Sequence, residues 1–284
     1  MSDLPPPRKR FGQHFLRDAN LLRRIVAAAD ITRHDLVLEI GPGRGALTEL
    51  LLEKAAAVVA FELDRDLAKW LEERFADARW RLYTGDVLDA DLTSCLAETR
   101  ALFGLPAAPV KVVANLPYNV STPIVEKLLA SQSALTDIVV MLQREVGWRL
   151  AAAPGTREYG YFSVIVQAHC DVERLFDVPP GAFHPPPKVM SSVVRLKPRV
   201  PSLLPPDLEA MFRRVVSLAF EQRRKMLGGS LLRLGLERSR LLAALAEAAI
   251  APECRPEALS VEAFIRLARA LACHGGLDEK GRLE

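Results

Sequence analysis

The chain of 284 residues is long enough for one large domain and a smaller one. Half of its residues are hydrophobic and its net charge is only +3, which is typical of a globular protein and excludes a largely disordered one. No apolar run approaches the roughly 20 residues of a membrane helix, and the four cysteines form no CxxC pair. We therefore expect a cytoplasmic protein with reduced cysteines, no membrane segment and no bound metal, and nothing demands more than a monomer.

The charges are unevenly distributed along the chain. Residues 1–35 and 199–284 each carry a net charge of +3, whereas residues 36–198 carry −3. Basic ends fit a polyanionic partner, although an ordinary solvated surface is the simpler interpretation at this magnitude. Residues 1–10 are basic and rich in proline, which predicts a flexible arm, and they lack the apolar core of a secretion signal.

Strand and helix patterns alternate through the first two thirds of the chain. After Asp18, which is a candidate helix cap, apolar residues recur at helical spacing. The apolar strand 36–40 leads directly into a glycine-rich loop at 41–45 and then into a helix from about Ala46. Further strands are predicted at 58–63, 80–83, 110–114 and 138–142. This alternation predicts an α/β fold with a doubly wound, mostly parallel sheet.

Two late strands complete the predicted sheet. Residues 162–168 and 192–196 are both apolar, and residues 178–188 between them contain five prolines. A pair of this kind is expected to add an antiparallel edge to the sheet, which makes it seven-stranded.

The last third of the chain has a helical pattern. Residues 198–206 contain four prolines and predict a linker, and helices are predicted at 207–232, 239–250 and 261–271. The expected domains are a basic arm at 1–10, a Rossmann-like domain at 11–200, a small all-helical domain at 201–275 and a tail at 276–284.

The glycine-rich loop and the polar residues at the strand ends indicate a nucleotide cofactor. Gly41, Gly43 and Ala46 satisfy the dinucleotide pattern G-x-G-x-x-G/A, so NAD is a real alternative. S-adenosylmethionine is favoured because Glu39 precedes the loop, and because Glu62 and Asp86 end the next two strands. There they are placed to accept hydrogen bonds from the ribose hydroxyls and the adenine amine.

The stretch Asn115-Leu116-Pro117-Tyr118 ends the fourth strand, where open α/β sheets bind ligands. An adenine amine is a weak nucleophile because its lone pair is delocalised into the ring. The Asn115 side-chain oxygen and the Leu116 carbonyl are candidates to accept its two protons and to aim the lone pair at a sulfonium methyl. Tyr118 is the candidate to stack on one face of the base, and Phe183 on the other.

Taken together, these motifs resemble those of the ribosomal RNA adenine dimethyltransferases, of the bacterial type that acts on 16S rRNA. The shared segments are RKRFGQHFL at 8–16, EIGPGRGALT at 39–48, FELD at 61–64, GD at 85–86, NLPYNVSTPI at 115–124, MLQREVGWRL at 141–150, PGTREYGYFSV at 154–164, FHPPPKVMSSVVRL at 183–196 and FEQRRKML at 220–227. The resemblance implies a methyltransferase sheet with a helical C-terminal domain. It also implies dimethylation of two adjacent adenosines in a hairpin near the rRNA 3′ end.

The resemblance also implies particular site residues. Cofactor contacts are implied at His14, Leu16, Gly41, Glu62, Asp86 and Asn115, and target-base contacts at Asn115, Leu116, Pro117, Tyr118 and Phe183. The basic segment Arg223-Arg224-Lys225 is the candidate RNA contact. His14 stands where this family often has Asn, so a backbone contact to the cofactor is expected there more than a side-chain one.

Two other functions stay open on the sequence. One hypothesis is that the chain acts mainly as an assembly factor, which binds immature small subunits as a checkpoint. On the other, the chain methylates large-subunit rRNA. The long helical tail and the Glu-Gln-Arg-Arg-Lys run at 221–225 favour the small-subunit type, by resemblance alone.

Overall fold

The computed structural model describes residues 4–8, 11–222 and 225–274. Contacts between residues divide the chain into two compact units. The first contains the chain up to Trp148 together with Val172–Pro198, and the second contains Arg149–Asp171 together with the chain from Arg199.

This division differs from the single boundary near residue 200 that the sequence predicts. The segment Arg149–Asp171 belongs to the second unit although it precedes the last strand of the sheet. Packing explains the assignment, because the helix Tyr161–His169 packs against the helices Glu209–Glu221 and Val261–Cys273 of that unit.

A seven-stranded sheet carries the candidate site, and two short strands pair separately. In chain order the strands are β1 (Phe15–Leu16), β2 (Leu36–Ile40), β3 (Ala57–Glu62), β4 (Trp80–Thr84), β5 (Val110–Asn115), β6 (Leu135–Gln143), β7 (Cys170–Val178), β8 (Phe183–His184) and β9 (Ser191–Pro198). The order across the sheet is β4-β3-β2-β5-β6-β9-β7. Neighbouring strands from β4 to β6 are parallel, whereas β9 is antiparallel to β6. The predicted α/β fold with a doubly wound, mostly parallel sheet is confirmed.

The central strands are buried on both faces. Every residue of β2 and β3 is buried, as expected where helices cover both sides of a parallel sheet. The helices are α1 (Ala19–Ala28), α2 (Ala46–Lys54), α3 (Arg65–Arg74), α4 (Leu92–Phe103), α5 (Ser121–Ala130), α6 (Arg144–Leu150), α7 (Tyr161–His169), α8 (Glu209–Glu221), α9 (Leu227–Leu231), α10 (Arg238–Glu247) and α11 (Val261–Cys273). Asp18 caps α1 as predicted, because its carboxylate accepts the backbone N–H groups of Asn20 and Leu21. Within the described ranges, no helix combines the length and the apolar character that crossing a bilayer requires.

One predicted strand is wrong. Residues 162–168 lie in α7, and the strand at the edge of the sheet is the next segment, β7. Nearly all of α7 is buried, so its continuous apolar run lacks the one-sided periodicity that marks a surface helix. The predicted helix 207–232 is also divided, because α8 ends at Glu221 and α9 begins only at Leu227.

The small sheet of β1 and β8 was not predicted from the sequence. It is antiparallel, with Phe15 opposite His184 and Leu16 opposite Phe183. Leu16 and Phe183 are both buried in the core of the first unit. The pairing therefore holds the segment that precedes α1 against the proline-rich connection that precedes β9.

Candidate functional site

A cavity of about 380 Å³ opens at the carboxyl ends of β2, β3, β4 and β5. Parallel strands all end at the same edge of a sheet, so residues that are distant in sequence meet there. Nine of the ten residues predicted for the cofactor and the target base line this cavity: His14, Leu16, Gly41, Glu62, Asp86, Asn115, Leu116, Pro117 and Tyr118. The tenth, Phe183, is not among its lining residues.

The glycine-rich loop after β2 forms one wall of the cavity. Gly41 and Gly43 both have positive φ angles, +69° and +58°, which glycine adopts without steric cost. A Cβ atom on Gly43 would lie 2.9 Å from Cε1 of Phe15. The loop therefore needs glycine at this position for its conformation and for the close approach of the β1 segment.

Two carboxylates organise the backbone beside this loop. Glu62 accepts the N–H of Gly43 at 3.0 Å with one oxygen and the N–H of Asp64 at 2.9 Å with the other. The fully buried side chain of Asp64 accepts hydrogen bonds from Arg8 at 2.8 Å and from Gln13 at 3.1 Å. Glu62 is thereby held in place at the end of β3, and each of its oxygens retains a further lone pair toward the cavity.

The N-terminal segment is thus anchored beside the cavity at Arg8. The sequence predicts a flexible arm at residues 1–10, and its described part, residues 4–8, is tied to the body by this ion pair. Residues 1–3 and 9–10 lie outside the described part of the chain.

Asp86 follows β4, and Glu39 lies in β2 directly before the glycine-rich loop; both line the cavity. One carboxylate oxygen of Asp86 accepts the N–H of Leu88 at 2.9 Å, which leaves the other to face a ligand. Glu39 is almost completely buried, and among the described residues its Oε2 atom has no hydrogen-bond partner. Burial, together with the negative charge of Glu62, raises the pKa of Glu39 to about 8.

A buried carboxyl oxygen without a partner in a cavity wall is energetically costly. A ligand that brings a cationic donor to Glu39 removes that cost. With Glu62 and Asp86, the cavity can accept a nucleoside with hydroxyl and amine donors that also carries a positively charged group. S-adenosylmethionine carries all of these groups: ribose hydroxyls, an adenine amine and a positively charged ammonium group.

The loop after β5 presents two hydrogen-bond acceptors. The amide nitrogen of Asn115 donates to the carbonyl of His14 at 3.2 Å, so the side-chain oxygen is turned the other way and remains available. The N–H of Leu116 donates to Met141 at 2.9 Å and fixes the loop to the end of β6. No described residue donates to the carbonyl of Leu116.

Tyr118 is held from two directions. Its hydroxyl lies 2.6 Å from the Ser191 hydroxyl, at the start of β9. Its ring stacks on that of His14, with 5.6 Å between ring centres and 24° between planes. The Nδ1 atom of His14 is 2.8 Å from the carbonyl oxygen of Pro185. Partial burial raises the pKa of Tyr118 above its usual range, so the phenol stays neutral at physiological pH.

Phe183 is buried and is not among the residues that line the cavity, and its contact with the target base stays a prediction. The structure places it in the hydrophobic core, 4% exposed, opposite Leu16 in the β1–β8 pair. The apolar ring packs beneath the segment that carries His14, because burying it in the core removes more apolar surface from water than the cavity wall would. The ring that stacks on Tyr118 in the structure is that of His14.

The candidate RNA contacts are only partly described. Arg223 and Arg224 lie outside the described residues. Lys225 is exposed in the connection between α8 and α9, where its N–H donates to Gln222 at 2.7 Å.

Sequence reasoning missed Asp64 and Ser191. Asp64 belongs to the segment FELD, but its partners are about 50 residues away in the chain, so no local pattern reveals them. Ser191 lies in a strand whose neighbours are ordinary core residues, and only its contact with Tyr118 distinguishes it.

The sheet and the nucleoside-sized cavity at its carboxyl edge define a Rossmann-like methyltransferase. The sequence profile of the family described as ribosomal RNA adenine dimethylase matches residues 6–272. The chain therefore belongs to the ribosomal RNA adenine dimethylase family.

Proteins that resemble this chain carry corresponding names. It is 49% identical over 263 residues to the ribosomal RNA small subunit methyltransferase A of Nitrosococcus oceani, covering 92% of this chain and 95% of the relative. It is 46% identical over 266 residues to the same enzyme of Pseudomonas putida, covering 93% of this chain and 95% of the relative.

Solved structures extend the similarity to the fold. A dimethyladenosine transferase from Plasmodium falciparum superposes with a TM-score of 0.76 and is 25% identical, covering 89% of this chain and 96% of that one. The 23S rRNA methyltransferase ErmE superposes with a TM-score of 0.67 and is 28% identical, covering 91% and 99%.

Proposed function

We propose that this enzyme transfers methyl groups from S-adenosylmethionine to the N6 amines of two adjacent adenosines in a hairpin near the 3′ end of 16S rRNA. The observation that carries the proposal is the pair of available acceptors, the Asn115 side-chain oxygen and the Leu116 carbonyl, at the rim of an acid-lined nucleoside cavity. The names of the relatives at 46–49% identity favour small-subunit rRNA over large-subunit rRNA.

The cavity residues have distinct roles toward the cofactor. Glu62 accepts hydrogen bonds from the ribose hydroxyls, Asp86 from the adenine amine and Glu39 from the ammonium group. The backbone at His14, Leu16 and Gly41 provides further contacts to the cofactor. When bound, the cofactor supplies an electrophilic methyl group on a positively charged sulfur. Carboxyl groups of three residues line one cavity, and a cationic group beside Glu39 favours the ionised form of that buried acid.

The loop after β5 positions the target amine. Asn115 and Leu116 accept hydrogen bonds from its two N–H groups, which localises the lone pair on nitrogen and directs it into the cavity. Pro117 keeps the loop rigid because its φ angle is fixed. Tyr118 stacks on the base. Phe183 acts from the core, through β8 and β1, by holding His14 beside Tyr118.

The proposed partner is 16S rRNA within an immature small ribosomal subunit in the cytoplasm, approached by a monomer. Lys225, with its neighbours Arg223 and Arg224, is the proposed phosphate contact in the helical region. Binding through phosphates releases counterions, so affinity for the subunit should fall steeply with salt.

The proposal is tested with small subunits isolated from cells that lack the modification. After incubation with isotopically labelled S-adenosylmethionine, mass spectrometry should find dimethyladenosine at two adjacent positions of 16S rRNA. Asn115→Ala should bind the cofactor but lower kcat by at least about a hundredfold. Label found only in 23S rRNA, or none in either RNA, contradicts the proposal.

A further inference from the structure

A second cluster of planar side chains lies outside the cavity. Trp148 on α6 is 39% exposed. The guanidinium carbon of Arg144 lies 5.2 Å from the centre of its ring system, and that of Arg174, on β7, lies 4.9 Å away. We call Arg144, Trp148 and Arg174 the Trp148 platform.

Both arginines of the platform keep their charge uncompensated. Among the described residues, neither forms an ion pair with a carboxylate, whereas Arg74, which stacks on Trp70 in the same way, also pairs with Glu49 at 3.0 Å. A guanidinium that stacks on a ring keeps its N–H groups free at the edge, where they match phosphate. The platform thus offers an exposed aromatic surface flanked by two anion-binding groups.

Two acids lie close to Arg174 in the same strand. Glu173 and Asp177 are exposed in β7, but side chains alternate along a strand, so both point to the face opposite Arg174. This arrangement favours a ligand that is both flat and anionic.

The platform lies beside the target-base site. The N–H of Arg144 donates to the carbonyl of Met190 at 2.9 Å. The next residue, Ser191, contacts the hydroxyl of Tyr118 at 2.6 Å. Arg144 begins the helix that follows β6, so it occupies the same carboxyl edge of the sheet as the cavity.

We propose that the Trp148 platform binds a single-stranded nucleotide adjacent to the target adenosine, with its base stacked against the planar groups of the platform and its phosphate held by the N–H groups of Arg144 and Arg174. Unpaired bases in RNA are commonly recognised by stacking on aromatic rings and guanidinium planes. This inference rests on the proposed RNA substrate. It assigns to the sheet unit an RNA contact beyond the target base, in addition to the phosphate contact proposed at Lys225.

The test compares Arg144→Gln/Arg174→Gln, Trp148→Leu and the control Arg81→Gln. Arg81 is exposed on β4, at the opposite edge of the sheet, and its guanidinium lies 5.2 Å from the ring of Tyr83. The control therefore loses one arginine charge and the same kind of ring contact. All replaced side chains are exposed, so the variants should fold.

Two measurements are made on each variant. The first is KM for unmethylated small subunits between 50 and 200 mM salt. The double arginine variant should raise KM about tenfold and reduce the slope of log affinity against log salt by about 0.7, the value for one phosphate contact on a single strand. Trp148→Leu should raise KM about tenfold with little change in slope, because stacking carries no counterion term.

The second measurement follows tryptophan fluorescence while a ten-residue oligouridine RNA is added. Quenching is expected in the wild-type enzyme and in Arg81→Gln, and its loss is expected in Trp148→Leu. Wild-type KM and salt slope in the double arginine variant, or unchanged quenching in Trp148→Leu, would overturn the proposal. Methyl transfer by the wild type is scored separately, so a wrong substrate assignment is distinguishable from a wrong platform.

Discussion

The hydroxyl groups of Tyr118 and Ser191 lie 2.6 Å apart and join the loop after β5 to the first residue of β9. β9 is the antiparallel strand of the sheet and follows the proline-rich connection. The orientation of the ring that is proposed to stack on the target base therefore depends on a strand about 70 residues away in sequence.

Ser191→Ala should lower kcat for methyl transfer about tenfold and leave the cofactor Kd unchanged, because it removes the hydrogen bond that orients Tyr118. Tyr118→Phe removes the same bond, so the double variant should be no worse than either single one. Ser192→Ala is the matched control, because Ser192 is equally buried in β9 and its hydroxyl has no partner among the described residues. Additive losses in the double variant would contradict a role through Tyr118.

Phe183→Ala should destabilise the protein by about 3–5 kcal/mol, because it empties a core position opposite Leu16. Cofactor affinity and turnover should fall together, since β8 supports the β1 segment on which His14 lies. Phe183→Leu should preserve most of both. Denaturant unfolding, cofactor titration and single-turnover kinetics provide the comparison. A selective loss of turnover, with normal stability, would instead mean that Phe183 meets the target base directly.

Arg8→Ala should weaken cofactor binding about tenfold. The change leaves the fully buried carboxylate of Asp64 with only part of its hydrogen bonds, and the backbone N–H of Asp64 is one of the two that position Glu62. Arg74→Ala is the control, because it breaks an ion pair with the exposed Glu49 on the same unit and should have almost no effect on binding. Isothermal titration with S-adenosylhomocysteine, the demethylated cofactor, measures the Kd of each variant. Equal Kd values for Arg8→Ala and Arg74→Ala would exclude a link from Arg8 through Asp64 to the cofactor.

Glu39 should make the cofactor-free protein less stable as pH rises. Burial raises its pKa from 4.5 to about 8, so between these values the folded chain holds a proton that the unfolded chain has released. The free energy of unfolding therefore falls from pH 4.5 to pH 8 and stays low above it. Glu39→Gln should remove this fall, with a gain in the free energy of unfolding over wild type on the order of 5 kcal/mol at pH 9.

The exposed Glu49 provides the control for this pH dependence. Glu49→Gln should follow the wild-type curve from pH 5 to pH 9 in denaturant titrations. If the free energy of unfolding of the wild type runs parallel to that of Glu39→Gln from pH 5 to pH 9, Glu39 is ionised over this whole range and the prediction is wrong.

Local sequence was sufficient for the parallel part of the sheet and for most of the cavity. The strand at 36–40, the glycines after it and the acids at 62 and 86 each follow from patterns a few residues long, and parallel strands necessarily end at one edge. The hydrophobic pattern gave the wrong element at α7, where a strand was predicted. Because nearly all of α7 is buried, its sequence lacks the periodicity that distinguishes a helix from a strand.

The positions of Phe183, His14, Ser191 and Asp64 required the folded chain. Local patterns cannot distinguish a phenylalanine that packs in a core from one that lines a binding site, since both are apolar rings in a stiff loop. The antiparallel pairing of β1 with β8 buries Phe183 and turns His14 toward Tyr118. Residue types and spacing thus specify which chemistry the strand ends can perform. Contacts between segments that are 50 to 170 residues apart specify which side chains face the cavity, because burial is a property of the packed molecule.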